Sequence, residues 1–228
     1  MSPIGSIRAS VRGSVTDVPD IDNIALEFDG VDDIVSFGTP SIFGLNDVET
    51  GTIEIWVKFL SDPEDRQAIW GDQDDPVWGL MAEDESIRWF RISSNDNAVL
   101  SDFTPSVGEW VHVSISFEDF GSTADMFING EFDSRLEGSG PIDRSIDDIN
   151  LGEYAGSYGN VVLSEARLWE HPRTEAEIQS DYERPLNGDE DGLIGYWPIK
   201  EGEGSTAFDK VGSVDGDIIG PVWVEDGP

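Results

Sequence analysis

In Trp110-Val111-His112-Val113-Ser114-Ile115-Ser116-Phe117 every second residue is apolar. An α-helix would scatter those residues around its axis. A β-strand puts Val111, Val113, Ile115 and Phe117 on one face. Ile53-Glu54-Ile55-Trp56-Val57-Lys58-Phe59 alternates in the same way, which predicts a half-buried strand with Ile53, Ile55, Val57 and Phe59 inward. Further strands are expected at Ile24–Phe28, Ile34–Phe37, Ile87–Ile92 and Asn160–Trp169. Asn129-Gly130, between Met126-Phe127-Ile128 and Glu131-Phe132, predicts a hairpin closed by a type I′ turn. One helix is expected: Thr174-Glu175-Ala176-Glu177 reads as a capping box opening a short helix to about Tyr182. Many short strands with Gly/Asp turns and a single helix point to an all-β fold, an antiparallel two-sheet sandwich or jelly roll. No repeat or low-complexity linker divides the chain after residue 23, so residues 23–228 are read as one domain.

Forty-eight acids face thirteen bases, a net charge of −35 on 228 residues. In dilute buffer such a surface repels itself and opposes compaction. At about 1 M salt the Debye length falls to roughly 3 Å, and most of that repulsion is screened. The charge therefore points to a protein of concentrated brine. It also argues against nucleic acid and anionic membranes as partners, since both are held by clustered Lys and Arg. Disorder is countered by 38% hydrophobic residues and eight Trp.

The chain has no cysteine, which removes disulfides and thiolate chemistry. No apolar run approaches a membrane span, and Met1-Ser2-Pro3-Ile4 does not open a secretory signal pattern. Residues 1–22 differ from the rest: Arg8 and Arg12 precede the first acid at Asp17, and Ile4 and Ile7 are spaced irregularly among Gly and Pro. They read either as a frayed terminus or as an extended arm in which Ile4, Ile7, Arg8 and Arg12 dock on another, acidic subunit.

Ala25-Leu26-Glu27-Phe28-Asp29-Gly30-Val31-Asp32-Asp33-Ile34-Val35 resembles the opening strand pair of laminin-G-like, concanavalin-A-like jelly rolls. Thr52–Lys58, Trp110–Val113, Met126–Glu131, Ala166–Trp169 with Thr174–Ile178, Gly192–Pro198 and Ala207–Asp209 resemble that family's later segments, in family order. The resemblance implies a fold used for glycan binding, adhesion and surface display. It also implies a structural Ca²⁺, drawing on the early Asp-Gly segment and on an acid just before the strand at Ala166. Asp29 and Asp32 are the candidate oxygen ligands. Ser164 stands where that acid is usual, a departure from the pattern.

The family's glucanases carry a Glu-x-Asp-x-(x)-Glu strand. The nearest match here, Glu131-Phe132-Asp133-Ser134-Arg135-Leu136-Glu137, is too widely spaced and follows a turn. His112 and His171 are the only imidazoles, and neither accompanies a nucleophile elbow. An enzyme is therefore not expected. Sugars stack on aromatic faces while acids, amides and Arg bond their hydroxyls. Trp70 and Trp78 flank a loop-like stretch containing Asp72 and Asp74, and Arg91 and Asn95 follow on the next strand and turn. These six residues are the expected ligand contacts, the alternative being that the Trp rings fill the core.

A surface fold without an export signal and with a brine-adapted charge is best met by a virion surface protein of a virus of halophilic archaea, such as a turret, decoration or fibre. It would be a homo-oligomer docked on other structural proteins and open to host glycans. The alternative is a glycan-binding module of an extracellular or cell-surface halophile protein, with a glycoside hydrolase behind both.

Overall fold

The computed structural model describes residues 23–38, 50–72, 78–91, 98–118, 123–137, 149–212 and 214–228, with Phe90 and Arg91 described in their backbone alone. The expected arm at residues 1–22, together with Asp74 and Asn95, lies outside the described residues.

In chain order the strands begin β1 (Ala25–Asp29), β2 (Ile34–Ser36), β3 (Gly51–Phe59), β4 (Gln67–Asp72), β5 (Trp78–Glu83) and β6 (Ser86–Arg91). There follow β7 (Ala98–Leu100), β8 (Trp110–Glu118), β9 (Thr123–Ile128), β10 (Glu131–Glu137), β11 (Ile149–Leu151), β12 (Glu153–Tyr154) and β13 (Ser157–Tyr158). The chain closes with β14 (Asn160–Trp169), helix α1 (Glu175–Asp181), β15 (Leu193–Trp197), β16 (Thr206–Ala207), β17 (Gly216–Ile219) and β18 (Val222–Val224). One sheet runs β10-β9-β8-β3-β14-β1-β18, with β15 also paired to β14. The other runs β16-β17-β2-β11-β4-β5-β6-β7, and every strand pair is antiparallel. With β12 and β13 paired as a small separate ribbon, the described residues form the expected two-sheet jelly roll with one short helix.

Alternation builds the core. Ile53, Ile55, Val57 and Phe59 of β3 and Val111, Val113, Ile115 and Phe117 of β8 meet Leu80, Ile87 and Trp89 of the facing sheet. Asn129 and Gly130 both have positive φ, +50° and +79°, as the type I′ turn between β9 and β10 requires. Thr174 caps α1 by accepting from Glu177 N–H, and Glu177 returns the bond to Thr174 N–H at 2.8 Å.

The strands β3 and β8 are not half-buried as the alternation predicts. Their outward residues Thr52, Glu54, Lys58, His112, Ser114 and Ser116 are buried as well. Helix α1 and the segment after it cover that side, as the bonds from Arg173 on to Glu54 and from Trp56 to Tyr182 O show. A polar layer therefore lies between the first sheet and its cover.

Candidate functional site

The polar layer is organised by a bulge in β14. Ser164 pairs with Trp56 and Arg167 with Glu54, so β14 holds one residue more than β3 over this stretch. Glu165 takes φ +56° at the bulge, and Glu165 and Arg167 both reach the covered outer side of the sheet. Arg167 is fully buried, donating through Nη2 to Glu165 Oε2 at 3.1 Å and through Nη1 to Asp181 O at 3.1 Å. Arg173 donates to Glu54 Oε1 at 2.6 Å and to Asp181, and lies 4.0 Å from the Trp169 ring centre. His112 Nε2 sits 3.3 Å from Glu54 Oε2. Burial alone would push the Glu54 carboxyl up, but His112, Arg167 and Arg173 outweigh it and hold it at about 2. Burial pushes His112 below its ordinary value, against the pull of Glu54. This layer contains ionised Glu54 and neutral His112, and it clamps α1 to the sheet.

At the C-terminal end of α1 the cover parts into a cleft of about 910 Å³, within the usual range for small-molecule sites. Tyr196 of β15 forms its floor. The Tyr196 hydroxyl donates to Glu165 Oε2 at 2.8 Å and accepts Leu186 N–H at 3.1 Å, and burial raises its pKa well above the usual range. Trp56 and Tyr182 form one wall, stacked at 6.1 Å, with Trp56 Nε1 bonded to Tyr182 O at 3.0 Å. Phe208, 56% exposed, and Lys210 also line the cleft. Lys210 Nζ lies 5.5 Å from the Tyr196 ring centre. Glu201 accepts Phe208 N–H through Oε1 at 3.0 Å, while its Oε2 is buried without a hydrogen-bond partner among the described residues. The cleft thus combines aromatic walls, a spare acceptor and a cation.

A second cluster sits in the turn after β1. Carboxylate oxygens of Asp29, Asp32 and Asp33 lie within 4.8 Å of one another. Asp29 Oδ1 accepts Val31 N–H and Asp33 Oδ2 accepts Asp29 N–H, each at 2.8 Å. Burial raises the Asp33 pKa, and the charges of Asp29 and Asp32 raise it further, against the bond from Asp29 N–H. An all-oxygen set under mutual repulsion fits a hard cation such as Ca²⁺. Ser164 takes no part: its Oγ donates to Pro198 O at 3.2 Å beneath the cover.

The sequence matches the profile of the concanavalin A-like lectin/glucanases superfamily, in its laminin-G form, over residues 29–179. The chain belongs to this family. No curated protein sequence matches it. Among solved structures, this laminin-G-like domain superposes on a proposed carbohydrate-binding protein from Bacteroides ovatus with TM-score 0.70 and 17% identity, covering 89% of this chain and 59% of that one. A native heptameric SAP-like pentraxin from Limulus polyphemus gives TM-score 0.51 and 15% identity, over 70% of this chain and 82% of that one. The binding domain of botulinum neurotoxin serotype D gives 0.55 and 16%, over 71% and 42%. At these identities the likeness is one of fold.

Of the ligand contacts expected from sequence, Trp70, Trp78 and Asp72 are buried in this laminin-G-like domain rather than presented to a ligand. Trp70 and Trp78 are 2% and 4% exposed and pack edge-on to each other at 6.0 Å inside the sandwich, where Trp70 also meets Trp197. They lie on β4 and β5 rather than in a loop. Their neighbours Gly71 and Gly79 face outward beneath Tyr154, whose ring a Cβ at either glycine would meet at 2.8 Å or less. Glycine is needed there to admit Tyr154, and alternation then turns both Trp rings into the core. Asp72 is fully buried. Arg91 pairs with Trp78 through the backbone ladder. The hydrolase candidate fares no better: Glu131 and Asp133 stand on β10 at the sheet edge, with Asp133 accepting Asp102 N–H at 2.9 Å. Asp74, Asn95 and the Arg91 side chain lie outside the described residues, and Trp70, Asp72 and Trp78 do not line the cleft found here. Its walls come from β3, the end of α1, and the segment after β15, which no local pattern links.

Proposed function

We propose that this domain is a non-enzymatic glycan-binding module and that the cleft beside Tyr196 is its binding site. One observation carries the reading: Trp56, Tyr182 and Phe208 wall a cleft that also holds the unpartnered Glu201 Oε2. Aromatic walls suit the apolar face of a pyranose, and a free carboxylate oxygen suits its hydroxyls. The family supports a recognition role, and the charge of −35 supports work in concentrated salt. The proposed setting is the outside of a virion or cell in brine, where the module displays the cleft to surface glycans. Ca²⁺ held by Asp29, Asp32 and Asp33 would brace the turn after β1.

The test is a Trp-fluorescence titration of the full chain against a glycan panel in about 1 M salt. Binding is expected, and Phe208→Ala should weaken it about tenfold. A Phe208→Ala protein that binds as tightly as the parent, or a panel without any binder, overturns the reading.

A further inference from the structure

Cations are scarce in this chain, and those whose side chains are described are almost all neutralised. Arg66 and Arg88 pair with Glu83, Arg135 with Asp125, Arg167 with Glu165, Arg173 with Glu54, Arg184 with Asp181, and Lys58 with Asp226. Lys210 breaks the pattern. Among the described residues no carboxylate lies within ion-pair distance of its ammonium, although the chain carries 48 acids. Instead it hangs over the Tyr196 ring, exposed, among the residues that line the cleft.

Of the acids that line the cleft, only Glu201 has a buried oxygen without a partner among the described residues, its Oε2. Glu165 is taken by Arg167 and the Tyr196 hydroxyl, Glu183 accepts from the Tyr182 hydroxyl at 2.9 Å, and Glu201 Oε1 holds Phe208 N–H. Lys200, one of only three lysines, lines the same cleft, its Nζ donating to Ile24 O at 3.0 Å. In an acidic chain, two of three lysines thus border one aromatic cleft, and one of them has its charge unspent.

We infer that the ligand of this cleft is an anionic sugar, a pyranose bearing a carboxylate or sulfate group that pairs with Lys210 while its ring lies between the aromatic walls. The inference rests on the cleft's being a glycan site. A charge-assisted bond of this kind is stronger and more orienting than a neutral one. The surrounding negative field would repel an anionic ligand in dilute buffer. At about 1 M salt that long-range repulsion is screened, whereas a contact near 3 Å is affected least. Selection for an acid sugar is therefore compatible with the −35 surface only in brine, the setting that surface already implies.

The experiment titrates the full chain in about 1 M salt with a galacturonate oligosaccharide, its methyl ester, a neutral galactan oligosaccharide and a sulfated galactan oligosaccharide. The acid or sulfated form is expected to bind at least about tenfold tighter than the ester and the neutral sugar, and which of the two wins identifies the anion. Lys210→Gln should bring that ratio to within about twofold, and Lys210→Glu should invert it. Arg66→Gln, a cation of the other sheet, should leave the ratio as in the parent. Equal binding of ester, neutral and anionic sugars overturns the anionic ligand and leaves the glycan site standing. A preference that survives Lys210→Gln also overturns it. Absence of all binding overturns both.

Discussion

Arg173 donates to Glu54 at 2.6 Å across 119 residues of sequence, joining the residue before the α1 cap to the outward side of β3. Both side chains are buried, Glu54 completely. Whatever holds this pair also holds the helix, Tyr182 and hence one wall of the cleft.

Replacing Arg173 by Leu should therefore cost more than a surface ion pair. It leaves Glu54 with Arg167 and His112 alone and strips Asp181 of one partner. A loss of about 3 kcal/mol is expected from breaking one side of a buried pair, read by denaturant unfolding in about 1 M salt. A change within the range of exposed pairs, below about 1 kcal/mol, would show that the layer is not a clamp.

Acid should destabilise the fold in two stages. His112 is depressed below 6.5 by burial, so the unfolded chain binds a proton that the folded one refuses. Its contribution is complete above about pH 6.5 and is lost as pH falls from there. Glu54, held at about 2 against 4.5 by His112, Arg167 and Arg173 despite burial, adds a second loss below about pH 4.5. Melting temperatures taken from pH 8 down to pH 5 in about 1 M salt should fall below pH 6.5. A flat profile there would contradict a neutral buried His112.

If Asp29, Asp32 and Asp33 hold Ca²⁺, added Ca²⁺ should stabilise the fold by mass action, by about 2.7 kcal/mol at a hundredfold excess over the dissociation constant, read as a rise in melting temperature. Asp32→Asn should abolish the rise while leaving the apo melting temperature near the parent value, Asp32 being exposed. The same rise in Asp32→Asn would place any cation elsewhere.

Lowering salt below about 0.2 M should expand or unfold the domain, because the screening of its net charge fades. Light scattering and near-UV dichroism across a salt series would follow this. Unchanged compactness from 3 M to 0.1 M would set aside the brine reading.

Where a feature was local, the sequence predicted it closely. The strand Asn160–Trp169, the Asn129-Gly130 turn and the Thr174 capping box each depend on neighbours within a few residues, and each is found as read. Trp70 and Trp78 were misplaced because the Asp-rich stretch between them, with Gly71 and Pro76, has the composition of a turn. The packing of Tyr154 over Gly71 and Gly79, which forces the alternation, joins segments some 75–83 residues apart. The cleft was invisible for the same reason: Lys210 carries no local signal, and only in space does it stand without a carboxylate in ion-pair reach among the described residues.

The sequence by itself determined an antiparallel jelly roll, its hairpin and helix cap, the absence of thiol chemistry and a net charge of −35. Backbone period and summed charge are properties a linear string carries. Tertiary structure alone decided which of the two faces of β3 and β8 would stay wet, and the answer was neither. A one-residue bulge at Glu165 turned Arg167 outward under the helix, and burial there required charges to meet in pairs. Lys210 lies outside those pairs, its ammonium over the Tyr196 ring.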